Sequence, residues 1–276
     1  MKSDLYRIPD GISEFTFGGL YFFKDSYKYQ VSKVDESAFI LRGEEQGKPF
    51  FCVIGSDVSD TIIQELYRSC GYWKLISDSL FKTKTQLFEQ LGAVPEEDRN
   101  NFDYLYTRSA LSTLSGKQLH KKKNHVNGFL NNYPDFSLQQ MNKDTQADAY
   151  HVLESWAAEQ QDLLKTDYQA ACRALELLET GVLFGLILYV QTTPAAWCLA
   201  ELTAQGSAAV VHFEKARTDF RGSYQYINYA FAQSLPETIM YINREQDLGD
   251  EGLRRAKMSY RPERFIKKYR LKKGAV

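Results

Sequence analysis

Residues 208–262 read AAVVHFEKARTDFRGSYQYINYAFAQSLPETIMYINREQDLGDEGLRRAKMSYRP. The stretch opens on a β run to Ala216, passes through a short polar loop into an amphipathic run, and reaches a second β run. Over 208–215 the residues alternate. An extended chain therefore turns Val210, His212 and Glu214 to one face and Val211, Phe213 and Lys215 to the other. That reading places an imidazole beside a carboxylate, with Lys215 as a further polar group on the same strand.

After the strand comes the loop RTDFRGS, and the following helix carries Tyr224, Ile227, Phe231 and Leu235 at steps of three and four. Gly222 or Ser223 is the expected N-cap, so free backbone N–H groups and the positive helix end face a loop that also holds Arg217 and Arg221. Such a loop suits a phosphate; the alternative is a capped surface loop with two solvated arginines. Residues 238–242 read as a strand. If the extended conformation continues, Ile239, Tyr241, Asn243 and Glu245 share a side. Asp250 is placed to cap a short helix over 251–259 that Pro262 ends, with Leu253, Ala256, Lys257 and Tyr260 on one face. Asn243, Glu245, Asp247, Lys257 and Tyr260 form a candidate polar cluster, against the alternative of an Asx-turn and ion pairs that merely hold a strand-to-helix corner.

Working back toward the N-terminus, apolar runs over 185–190 and 195–202 flank Thr-Thr-Pro194 and read as a hairpin, with Glu201 near its end as a further candidate base. A strand is expected over 136–141 and helices over 147–160 and 167–179. Residues 111–133 read as a helix that Ser115 caps, with an apolar stripe of Leu119, Val126, Phe129, Leu130 and Tyr133. Lys122 falls inside that stripe and must snorkel or meet a buried anion. In the first half, strands are expected over 15–23, 29–34, 39–42, 50–54, 72–77 and 102–107, with helices after Gly55 and over 85–91. The order strand, loop, helix, strand, helix, strand thus occurs twice, the second time ending in a strand over 265–269. This repeat of pattern predicts an α/β (α+β) chain of two similar units, residues 1–112 and 113–276, with a single continuous mixed sheet as the competing arrangement.

The chain has 276 residues with 43% hydrophobic and 14% aromatic content, which excludes disorder and supplies ample core. A formal net charge of −1 leaves no global field toward nucleic acid or an anionic membrane. Cys52, Cys70, Cys172 and Cys198 lie far apart without a CxxC or Cys/His ligand spacing and read as small buried hydrophobes of a reducing cytoplasm. The N-terminus lacks the apolar segment of an export signal, and the longest apolar run, 182–190, is too short to cross a bilayer. No metal site is read: His212 and Glu214 offer ligands from one strand, and no HExxH or Cys/His pair completes a set.

The segments LSGKQLHKKKNHVNGFL, VHFEKA and YINREQDLGDEGLRRAKMSYRP, with this element order, resemble uncharacterised bacterial proteins grouped with the C-terminal domain of phosphatidylglycerol lysyltransferase. The resemblance implies two tandem acyl-CoA N-acyltransferase-like (GNAT-like) domains with mixed central sheets, the second carrying the site. In that fold the loop before the helix usually holds a pyrophosphate through a Q/RxxGxG/A motif; the equivalent ARTDFRGSYQ has Arg217, Arg221 and a single glycine and departs from it. The implied donor is acyl-CoA or an aminoacyl-tRNA, and the implied acceptor a small molecule or a lipid head group. Tyr260 stands where many members of the superfamily place a tyrosine general acid. On this reading Glu214, His212 or Glu245 takes the acceptor's proton, and Tyr260 protonates the leaving group. The competing function is a non-catalytic module for an anionic ligand or RNA, using the basic runs 117–123 and 261–273.

Overall fold

A computed structural model describes residues 1–35, 37–55 and 58–273 of the protein. Among the described residues thirteen strands form two sheets. In chain order they are β1 (Gln30–Lys33), β2 (Phe39–Glu45), β3 (Lys48–Ile54), β4 (Tyr72–Ser77), β5 (Glu96–Glu97), β6 (Asp103–Thr107), β7 (Phe136–Gln140), β8 (Phe184–Val190), β9 (Thr193–Thr203), β10 (Ala208–Ala216), β11 (Tyr241–Asn243), β12 (Arg264–Ile266) and β13 (Lys268–Lys272). The six-stranded sheet runs β1-β2-β3-β4-β13-β5 and the seven-stranded sheet β12-β6-β11-β10-β9-β8-β7. Both are mixed, each with one parallel pair, β3 with β4 and β10 with β11, joined by the helices Asp60–Cys70 and Ser223–Ser234.

The expected repeat is present, but its last strands are exchanged. β6 leaves the first half to pair with β11 and β12, and β13 returns from the C-terminus to pair with β4 and β5. The expected single strand over 265–269 is therefore two strands in different sheets, with Lys267 at the crossing. The boundary between the sheets does not fall at residue 112: the helix Arg108–Thr113 packs on the helix Ser223–Ser234, and its Leu111 belongs to the second sheet's core.

Where the two exchanged strands cross, a buried polar cluster replaces apolar packing. Lys268 and Asp103 are both fully buried and 2.7 Å apart, and Glu14 also accepts from the Lys268 ammonium. Asp103 further accepts from the Ser13 N–H and hydroxyl and from the Asn243 amide. The basic run 261–273, expected as an RNA contact on the competing reading, thus ends in an interior strand: Tyr269 and Leu271 are core residues and Lys267 is paired with Glu97.

Residues 15–23 are a short 3-10 turn and the helix Phe17–Phe22, not a strand. Thr16 caps this helix by accepting from the Gly19 N–H at 3.0 Å, while Leu20 packs under the first sheet and Phe22 under the second. The helix that Ser115 was expected to cap begins at His120, with Leu119 at the cap. Beyond Ser77, which caps it, lies the helix Asp78–Thr83. Among the described residues no helix is long and apolar enough to cross a membrane.

Candidate functional site

β10 and β11 pair in parallel for three residues only, Ala208 with Tyr241 through Val210 with Asn243. β10 then continues to Ala216 paired with β9 but no longer with β11, because β11 is turned aside at Asn243. Its side-chain oxygen accepts from the Glu245 N–H at 2.8 Å, its amide donates to Gly11 O and Asp103, and Glu245 takes a positive φ of 55°. The expected strand over 238–242 is accordingly shorter and later, and the extended side on which Glu245 was placed does not exist. Beside the parting, β10 carries a bulge: Val211 faces Ala200 of β9 and Phe213 faces Leu199, so His212 is the extra residue. A cavity of about 370 Å³ opens here, lined by His212, Glu214, Arg244, Glu245, Lys257 and Asp167 among others.

The bulge overturns the expected pairing of His212 with Glu214. Val211 belongs to the core on one face of the sheet and Phe213 to the core on the other, so alternation breaks at His212. The imidazole turns toward Phe22, with ring centroids 5.2 Å apart, while Glu214 lies on the opposite face beside Asn228. Two other carboxylates flank His212. Nδ1 is 2.7 Å from Glu245 Oε1, and Nε2 is 3.5 Å from Glu201 Oε2 and 3.4 Å from the Thr16 hydroxyl. Glu201 is itself held by the N–H groups of Phe17 and Gly18. A side chain at Gly18 would put its Cβ 2.8 Å from Glu201 Oε2, so only glycine allows this approach. Burial pushes the His212 imidazole down, but the hydrogen bonds and charges of Glu201 and Glu245 outweigh it and hold the ring at about 9. That balance favours the imidazolium, the form in which both ring nitrogens donate. Glu245 is the open member of the trio: its side chain is 23% exposed and Oε2 bonds to nothing among the described residues.

On the other face, Glu214 accepts from Asn228 at 2.8 Å and from Arg244 Nη2. Arg244 lies over the Tyr260 ring at 4.8 Å, and Lys122 Nζ is 4.2 Å from the same ring centroid. Lys122 is half-buried and meets no carboxylate among the described residues; its ammonium rests on the aromatic face. Burial pushes the Tyr260 phenol up to about 12 against the pull of Arg244. Lys257 is buried on the helix Glu251–Met258, where its ammonium donates to the carbonyls of Arg244 and Gln246 and so fixes the loop after β11. Burial lowers it to about 8. Leu253, expected on the same inward face, is exposed.

Asp247 is a fastening, not an open carboxylate. It is fully buried and accepts from Arg254 Nε and Nη2, the Tyr104 hydroxyl and the Gly249 N–H. Burial opposes its ionisation, yet those donors hold it below the ordinary carboxylate range. Lys215 is buried against the Trp156 ring at 3.5 Å and paired with Asp167 at 2.6 Å. Gly222, not Ser223, is the N-cap residue of the helix Ser223–Ser234. Its φ is +93°, and a Cβ there would come within 3.0 Å of His125 O. Arg217 is spent on Asp219 of its own loop, Arg221 is exposed, and the Ser223 hydroxyl donates to Arg217 O. Sequence reasoning missed Arg244, Asn228 and Thr16. Arg244 stands between two chosen residues, and only the reversal at Glu245 turns it inward.

A family model described as "Phosphatidylglycerol lysyltransferase, C-terminal" matches residues 6–272. A solved structure of a conserved protein of unknown function from Bacteroides thetaiotaomicron is similar over 99% of this chain and 96% of its own, with 27% identity and a TM-score of 0.86. The structure of L-PGS from Bacillus licheniformis is similar over 92% of this chain and 90% of its own, with 12% identity and a TM-score of 0.64. A curated relative, the uncharacterised protein MYCGA3080 of Mycoplasmoides gallisepticum, is 28% identical over 177 residues, which are 62% of this chain and 56% of that protein. The match thus spans little more than half of that relative's length. The fold is the expected α/β one on two mixed sheets, and it is shared with L-PGS.

Proposed function

The chain belongs to the phosphatidylglycerol lysyltransferase C-terminal family, and from that premise we propose that it transfers an acyl or aminoacyl group to an amine or hydroxyl acceptor at the parting of β10 and β11. The observation that carries the reading is the buried Glu201–His212–Glu245 trio, whose one open carboxylate faces the cavity beside the bulge. The two carboxylates that flank His212 favour its protonated form and so favour Glu245 as the base. His212 orients Glu245, and Glu245 takes the proton of the attacking acceptor. The acceptor's nitrogen or oxygen bonds to the donor carbonyl carbon and the donor's ester or thioester bond breaks. The departing oxygen or sulfur takes the proton of Tyr260, whose phenolate Arg244 then stabilises. Backbone groups of β10 just beyond Val210, which no strand among the described residues pairs on that edge, face the parting and would bond the donor. The donor is an aminoacyl-tRNA or an acyl-CoA, and the acceptor a lipid head group or a small molecule. The free Cys52, Cys70, Cys172 and Cys198 support a reducing, cytoplasmic setting for the reaction.

The test is transfer of a radiolabelled acyl or aminoacyl group from charged tRNA and from acyl-CoA, with phosphatidylglycerol and small amines as acceptors. Glu245→Gln is expected to lower turnover about 10²–10⁴-fold with the fold intact. Transfer from neither donor, or a Glu245→Gln enzyme as fast as the native one, defeats the proposal.

A further inference from the structure

The trio around His212 is not completed from within its own sheet. The N–H groups of Phe17 and Gly18 donate to Glu201 at 3.2 and 2.7 Å, and the Thr16 hydroxyl lies 3.4 Å from His212 Nε2. All three residues belong to a segment that precedes the first strand of the six-stranded sheet. A hydroxyl has one hydrogen, and Thr16 donates its own to Ser13 O at 2.9 Å. Toward the ring its oxygen therefore only accepts. Glu201 Oε2, which accepts from the Gly18 N–H, is 3.5 Å from the same ring nitrogen. Nε2 thus faces two acceptors and no donor among the described residues, and one N–H serves both. The other charged groups lining the cavity are committed elsewhere: Lys257 to the carbonyls of Arg244 and Gln246, Arg244 to Glu214, Asp167 to Lys215 and Lys165 to Asp162.

We propose that Glu201 and Thr16 are positioning residues that keep a proton on Nε2, so that His212 donates to Glu245 from Nδ1 only as an imidazolium. A free neutral imidazole chooses either nitrogen for its proton. With the proton on Nδ1 it would bond Glu245 and bring no charge. Here that tautomer would turn the Nε2 lone pair on Glu201 and Thr16, both buried and both fixed by backbone groups. Glu245, 23% exposed on the loop after β11, is the member that can yield. Loss of the second proton therefore leaves a lone pair on Nδ1 facing Glu245 Oε1, and the 2.7 Å bond that aims Glu245 is given up. In this way the N-terminal segment sets the geometry of a site in the other sheet. Calling Glu245 a base rests on the transferase reading; the placement of the proton does not.

Long-range ¹H–¹⁵N correlations of the full chain separate the imidazolium from each neutral tautomer. The chain has four histidines, and His212→Gln assigns one ring by its loss. The native ring is expected as imidazolium at neutral pH and as the Nε2–H tautomer once it deprotonates. Glu201→Gln removes a charge and supplies an amide that can donate to Nε2. It is expected to lower the midpoint of the ring's titration by about 1–3 pH units and to admit the Nδ1–H tautomer. Thr16→Val, which leaves Nε2 one acceptor, should raise the share of Nδ1–H, and Thr16→Ser should keep the native share. The alkaline limb of the kcat/KM profile should fall with the midpoint in Glu201→Gln, whereas a merely structural Glu201 would lower the rate at every pH and leave the limb in place. A native ring that becomes Nδ1–H on deprotonation overturns the proposal without any variant. So does a Glu201→Gln or Thr16→Val protein whose midpoint and tautomer both match the native ones. The expected native tautomer without transfer from any donor leaves the positioning standing and removes the transferase reading instead.

Discussion

His212 keeps its second proton because each ring nitrogen meets a carboxylate, and this has a measurable sign. Its folded value of about 9 lies above the ordinary 6.5, so its contribution is fully present below about pH 6.5 and is lost as pH rises through 9. The size is on the order of 3 kcal/mol. Lys257 works the other way: held at about 8 against an ordinary 10.5, it penalises the folded state below pH 8, and stability recovers between 8 and 10.5. Urea denaturation is therefore expected to show stability falling from pH 6.5 to 8 and levelling between 8 and 9, where the two slopes oppose. His212→Gln should abolish the fall and Lys257→Met the later recovery. A His212→Gln protein that loses stability over pH 6.5–8 as steeply as the native chain would contradict the double-carboxylate clamp. None of this was visible in VHFEKA, where alternation set His212 beside Glu214. The bulge that separates them depends on the β9 register, which a single strand's pattern does not contain.

The elements that built the site were legible in proportion to how local their causes are. The helix Glu251–Met258 was read from its cap: Asp250 Oδ1 accepts from the Leu253 N–H at 2.6 Å. That cap also controls the site, because the last turn of the same helix carries Lys257, whose ammonium pins the carbonyls of Arg244 and Gln246. Asp250→Ala is expected to cost about 1 kcal/mol of stability, as caps do. Beyond that cost, it should loosen the loop after β11, seen as faster amide exchange at residues 244–248 with little change in β8 and β9. Confinement of the effect to the first turn of the helix would show that the cap does not reach the loop. By contrast, 15–23 is rich in aromatic residues and reads as a strand by composition. What makes Phe17–Phe22 a helix is the Thr16 cap plus burial of Leu20 and Phe22 on opposite sides, a tertiary cause that period-2 counting misses.

At the scale of the molecule, the repeat in the sequence is real, but the exchange of β6 and β13 decides how the halves depend on each other. Two apolar runs that each read as "last strand" carry no mark of which sheet they join, so the exchange was not legible. A cut after residue 112 would leave β4 without β13 on one fragment and β11 without β6 on the other. We therefore propose 1–112 and 113–276 as units of a repeat and not as pieces that fold alone. The sharper consequence concerns the C-terminus. Removing residues 267–276 deletes nothing from the seven-stranded sheet that holds the candidate site, yet it takes β13 from between β4 and β5 and leaves Asp103 and Glu14 without Lys268. Breaking a buried pair in this way costs about 3–5 kcal/mol. Hydrogen exchange on the truncated chain should therefore show protection lost first in β3 and β4, some two hundred residues from the cut in sequence, while β8, β9 and β10 remain protected. Protection lost only in β12 and its neighbours, with β4 unaffected, would mean that the two sheets do not share their final strands in solution.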